Sequence, residues 1–86
     1  MQALRQRFVS QALADADEIA KRAAISEWRA VRDLSHGISG RAGMFGFHTL
    51  SEAAGDLEEA LDGEEGQDRR ERLTQILLAQ LRRLAT

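Results

Sequence analysis

Neither cysteine nor proline occurs among these 86 residues. Without cysteine the chain forms no disulfide, offers no thiolate nucleophile and builds no thiolate zinc site. Without proline, no helix is interrupted by a missing backbone donor. Tyrosine is absent too, and one tryptophan and three phenylalanines are the whole aromatic complement. Apolar runs are only a few residues long, which excludes a transmembrane span. The opening MQALRQRFVS lacks the apolar core of a signal peptide. A cytoplasmic location is expected, and Met1 is read as an intact start. Basic excess is also missing: Lys and Arg number 12 against 14 Asp and Glu, a net charge of −2. A nucleic-acid partner, which calls for a strong basic bias, is not expected.

Catalytic signatures are equally scarce. No Walker loop and no dinucleotide fingerprint is present, so the chain is not expected to phosphorylate itself from ATP. No serine–histidine–acid arrangement has a sequence signature, and no constellation of metal ligands is visible.

What the chain does contain is helical periodicity. Phe8, Ala12, Ala16, Ile19 and Ala23 recur at steps of three and four, which predicts a first helix over 2–24. A second is expected from Ser26, read as its N-cap, with Trp28, Val31, Leu34, Ile38, Ala42 and Phe45 on one face. A third starts near Phe47 and aligns Leu50, Ala54, Leu57 and Leu61. The stretch DGEEG ends it, with Gly63 and Gly66 as punctuation. The fourth opens at Asp68, with Glu71 in a capping-box position, and presents Leu73, Ile76, Leu77, Leu81 and Leu84. No segment alternates with a strand period. The expectation is all-α: one domain over 1–86, an antiparallel four-helix bundle with short connections.

The segment LSHGISGRAGMFGF, Leu34 to Phe47, stands apart because it sets four glycines and a histidine in helical surroundings. Each interior glycine costs about 1 kcal/mol relative to alanine. At about 100° per residue, His36 falls about 155° from the centre of the apolar sector and points to solvent. Arg29, Arg32, Asp33, Ser39, Gly40 and Gly43 surround it on the wheel. Gly37, Gly40 and Gly43 all fall off the apolar sector, so close packing in the core does not account for them. The reading is a bare patch beside an exposed nucleophile. Gly40, one turn beyond His36, leaves the approach to the imidazole open. His48 reads as a partly exposed helix-start residue near the same face. Asp33 is expected to pair with Arg29 or Arg32, and Trp28 and Phe45 to pack in the core.

HGISGRAGMFGF, His36 to Phe47, resembles the histidine-containing phosphotransfer (HPt) domain. The greatest likeness is to the N-terminal phosphotransfer domain of chemotaxis histidine kinases. That pattern sets the phosphorylated histidine, an aliphatic, a lysine, two glycines and a leucine–glutamate pair where this chain has His36, Ile38, Ser39, Gly40, Gly46, Leu57 and Glu58. The family lysine is therefore Ser39 here. The likeness is sharp from Leu34 to Leu61 and elsewhere rests on helix count.

The resemblance implies a phosphocarrier without autonomous catalysis, a monomer serving a two-component phosphorelay. His36 is its expected phosphoacceptor. Arg32, Arg29 and Ser39 are the expected supports of the phosphoryl group, the arginines in place of the missing lysine. Gly37, Gly40, Gly43 and His48 form the expected docking face. The implied partners are a response-regulator receiver domain, a histidine kinase or both. The chain is expected to need no cofactor or metal of its own, with Mg²⁺ supplied by the receiver. Ser39 keeps open a second reading, an HPt-like binding module that acts by occupancy without being phosphorylated. A histidine-kinase dimerisation helix pair fits less well, since Gly37 follows His36 where that family has an acidic residue and later a proline.

Overall fold

A computed structural model describes residues 2–86 and consists of four helices: α1 (Gln2–Ala24), α2 (Trp28–Met44), α3 (His48–Asp62) and α4 (Gln67–Arg83). Contacts link α1 with α2, α2 with α3, α3 with α4 and α4 back to α1, a closed ring in which α2–α3 is the most extensive pair. The helices lie along an elongated body of 39 × 20 × 19 Å. This is the antiparallel bundle expected from the periodicity.

The core follows the stripes of three and four. Phe8, Ala12, Ala16 and Ile19 from α1, Val31, Ile38 and Ala42 from α2, Leu50, Ala54 and Leu57 from α3, and Leu73, Leu77 and Leu81 from α4 are buried together. Each fully buried leucine contributes about 1.5–3 kcal/mol relative to an exposed one. Trp28 and Phe45 pack against this core from its margin. Ile76 does not join it: it is 45% exposed, and Leu78 and Thr74 are buried in its place. The buried face of α4 is thus rotated from the expected stripe, and Thr74 satisfies its hydroxyl on the Arg70 carbonyl one turn back.

All three connections close in the same way. The amide of Glu27 donates to the Arg22 carbonyl and that of Ser26 to Ala23; Phe47 and Gly46 repeat the pattern on Ala42 and Gly43, and Glu65 and Glu64 on Ala60 and Leu61. These nested pairs satisfy the orphan carbonyls of a helix end and require a left-handed residue just past it. Ser26, Gly46 and Glu64 occupy that position with φ of 57°, 81° and 54°.

The arrangement corrects two expectations. Ser26 closes α1, so it does not cap α2; Glu27 takes the N-cap position, with no side-chain capping bond. Gly63 caps the end of α3 and Gly66 the start of α4, the punctuation expected of them, while Glu64 between them makes the left-handed turn. α4 begins at Gln67 after Gly66, and Glu71 accepts from the Gln67 side chain at 3.0 Å, so no capping box forms with Asp68.

Candidate functional site

Antiparallel packing of α2 on α3 sets which side chains meet. Arg32 lies opposite Asp62, His36 opposite Glu58, Ser39 opposite Gly55 and Gly43 opposite Ser51. Each step forward on α2 is matched by an equal step back on α3, one continuous register. Small residues let the backbones approach in its lower half. A Cβ added at Gly43 would lie 3.4 Å from the Ser51 hydroxyl, and one at Gly55 would lie 3.5 Å from that of Ser39. The two serines then cross-link the helices: Ser39 Oγ donates to the Ser51 carbonyl at 3.2 Å and Ser51 Oγ to the Ser39 carbonyl at 2.8 Å.

One turn towards the other end of this seam stands His36, whose side chain is 66% exposed. Its Nδ1 lies 2.7 Å from Oε2 of Glu58, a carboxylate only 19% exposed. An ionised carboxylate only accepts hydrogen bonds, so the neutral imidazole must carry its proton on Nδ1 and donate it. Nε2 is left with its lone pair free.

Arg32 joins the same carboxylates. Its Nε donates to Asp62 Oδ1 at 2.9 Å, and its outer nitrogen lies 3.4 Å from Asp62 Oδ2 and 3.3 Å from Glu58 Oε2. A third contact, 3.4 Å long, reaches Asp33, the pairing expected for that residue. The hydrogen bond and charge of Asp62 hold the Arg32 proton more tightly than usual. In return Arg32, with a smaller contribution from His36, holds the Asp62 carboxyl below the ordinary aspartate value.

The other expected site residues separate into groups. Gly40 faces open space, with nothing within 4 Å of an added Cβ. Gly37 and Gly43 each have a side-chain neighbour, although neither lies in the apolar core. Gly43 belongs to the seam. Gly37 makes room for the Arg41 guanidinium, which would lie 3.3 Å from a Cβ there, on its way to Asp15. Ser39 is half-buried and directed at α3, so its hydroxyl is engaged in the seam and is not part of the His36 surroundings. Arg29 is exposed and makes no ion pair among the described residues; His48 is exposed at the first position of α3.

Comparison with known proteins completes the picture. The Hpt domain family matches residues 3–86, nearly the whole chain. The chain belongs to that family. No curated protein and no solved structure matches it. An Hpt domain is a phosphocarrier module of two-component signalling, not a catalyst, and interacts with receiver domains and kinases. In this Hpt domain no described helix is long and apolar enough to cross a membrane. Among the described residues, no group of three or more His, Cys, Asp or Glu side chains is placed to hold a metal ion.

Three carboxylates that the structure engages have no role assigned by the sequence pattern. Glu58 was visible only as half of a leucine–glutamate pair, with no role attached. Asp62 is its neighbour one turn on, and an acidic pair spaced by four on a helix facing the histidine is the signal that was available. Asp15, a 5% exposed carboxylate held by Gln11 at 3.0 Å and by Arg41 at 2.9 Å, carried no motif at all.

Proposed function

We propose that His36 is the phosphoacceptor through which this Hpt domain takes a phosphoryl group from one partner and passes it to another. The observation that carries the reading is the Nδ1–Glu58 hydrogen bond on a largely exposed imidazole, which leaves Nε2 as the free nucleophile. In the forward step the Nε2 lone pair attacks phosphorus of an aspartyl phosphate on a receiver domain. The P–N bond forms, the P–O bond to the aspartate breaks, and the receiver recovers its carboxylate. Because Nε2 starts unprotonated, no proton has to leave. The ring gains positive charge, and Glu58, already bonded to Nδ1–H, stabilises it through a charge-assisted hydrogen bond. Reversal of the same steps delivers the group to a second aspartate.

Such a transfer asks mainly for positioning and charge neutralisation. Glu58 supplies the first by fixing the tautomer and ring plane. The acceptor aspartate and Mg²⁺ come with the receiver in this reading, which places the exchange in the cytoplasm with the carrier as a monomer. Gly40 leaves the surface beside the imidazole open to a partner of that size. Arg29, without an ion pair among the described residues and one turn before Arg32, is available to the incoming phosphoryl group.

The test is transfer of labelled phosphate from a panel of phosphorylated receiver domains to the purified protein, beside His36→Gln. Acid-labile label on the wild type and none on the variant is the expected result. Label that persists in His36→Gln would sink the assignment. Tight receiver binding with no label on the wild type would favour the occupancy module instead, a reading that Ser39 in the lysine position supports.

A further inference from the structure

Arg32 was expected to take the place of the missing lysine beside the phosphoryl group. Its guanidinium is engaged elsewhere. A two-pronged contact with Asp62, at 2.9 and 3.4 Å, holds it along α3. The outer nitrogen that makes the longer prong also lies 3.3 Å from Glu58 Oε2, the very oxygen that receives Nδ1–H of His36. His36, Glu58, Arg32 and Asp62 therefore form a chain of donors and carboxylates in which one Glu58 oxygen is shared.

We infer that Arg32 is a positioning residue that acts on His36 through Glu58, anchored by Asp62, and does not itself bind the phosphoryl group. The inference rests on His36 being the phosphoacceptor. Its physical basis is the number of ways Glu58 can move. A glutamate side chain bonded only to an imidazole keeps several rotamers within reach, because the ring turns with it. A close ion-pair contact with a guanidinium that is itself forked onto a neighbouring carboxylate restricts those alternatives. Glu58 and Asp62 are one turn apart on α3, so a single planar guanidinium spans both. An ammonium at the same place has no fork with which to do so. The carboxylates that face Arg32 are Asp33 from its own helix and Glu58 and Asp62 from α3, enough to hold it away from solvent-side anions.

Single-turnover transfer rates from a phosphorylated receiver, measured for Arg32→Ala, Glu58→Gln, the double variant and Arg32→Lys, test this directly. Arg32→Ala is expected to slow transfer on the order of tenfold, as loss of an outer partner does at other oriented histidines. In the Glu58→Gln background the same change should add nothing beyond about twofold, because residues acting in series are non-additive. Arg32→Lys should resemble Arg32→Ala. Multiplicative losses, or full rescue by lysine, would show a direct point-charge role and overturn the inference.

Ring ¹⁵N spectra of His36 give a second readout that needs no phosphate, with His48 as internal control. The wild type is expected to show the Nδ1–H form, and Arg32→Ala a mixture of tautomers. Unchanged ring spectra in Arg32→Ala would overturn the inference even if transfer slowed. If instead the wild type takes no label from any receiver, the phosphoacceptor reading fails, and the ring spectra alone decide whether Arg32 acts through Glu58.

Discussion

The α2–α3 pair adds to its share of the apolar core a polar seam that has no counterpart, among the described residues, between α1 and α4. Between α2 and α3 the contacts are directional: two reciprocal serine–carbonyl bonds, a glycine opposite each serine, and the Arg32–Asp62–Glu58–His36 chain. α1 and α4 contribute chiefly leucine, isoleucine, phenylalanine and alanine to the common core. Apolar burial is roughly proportional to area and indifferent to small sliding, whereas a hydrogen-bonded seam has one register. The difference assigns the work. All four helices share in the apolar core, and the polar seam fixes where Glu58 stands relative to His36. Asp15 is the exception on the oily side. Its bond to Arg41, which passes over Gly37, is a directional tie from α1 to the site helix.

The sharpest way to separate the two halves is to damage each alone. Leu77→Ala removes a fully buried side chain of α4 and is expected to cost about 2–5 kcal/mol in chemical denaturation. Transfer per folded molecule should be nearly unchanged. An equal loss of transfer would mean that the halves are not separable. Gly55→Leu does the reverse, wedging a side chain into the seam beside Ser39. Overpacking of this kind costs about 1–3 kcal/mol. Transfer should fall more than stability does, because Glu58 lies one turn away on the same helix.

Smaller effects refine the contrast. Gly40 faces open space, so Gly40→Ala should stabilise α2 by up to about 1 kcal/mol and leave the seam intact. Gly40→Leu, by contrast, should slow transfer through obstruction of the partner with the fold preserved, and unchanged transfer would remove the docking argument. The smallest effect concerns pH. Arg32 holds the Asp62 carboxyl below its ordinary value of about 3.8, so the pair's contribution is complete above that value and is lost as pH falls through the lowered one. Asp62→Asn should therefore lower the denaturation midpoint slightly near neutral pH and not below the lowered carboxyl value, so that the acid limb is flatter, the small size being that of an exposed pair.

Much of the molecule can be read from the chain because helical period is a local property. The four elements, the first of them over its full span, and the solvent-facing position of His36 all follow from spacing along one helix at a time. What spacing does not contain is how helices are set against one another. Glu58 and Asp62 gain their roles only through the α2–α3 register, as do Ser39 and Ser51. Ser39 and Gly43 looked like surface residues on a wheel drawn for α2 alone, yet both lie against α3. Helix ends failed for a different reason. Ser26 and Glu64 adopt a left-handed conformation that favours glycine, so neither announces itself as a turn, whereas Gly63 and Gly66 do mark the end of α3 and the start of α4. Ile76 illustrates a third limit: α4 offers Leu73, Ile76, Leu77, Leu78 and Leu81, and a few degrees of rotation decide which of Ile76 and Leu78 is covered.

The single free nitrogen on His36 has a kinetic consequence. One atom on one face has to serve both as the place of arrival and as the place of departure, so two partners cannot occupy it together. Donor and acceptor must take turns, which makes the proposed relay a ping-pong exchange whose throughput is bounded by how fast each visitor leaves. Between visits, in the proposed relay, the phosphoryl group would be stored in the carrier, and the number of charged molecules would become a small memory of recent traffic. Donors and acceptors that share this face then compete for it, so the abundance of one receiver sets the rate at which every other is served.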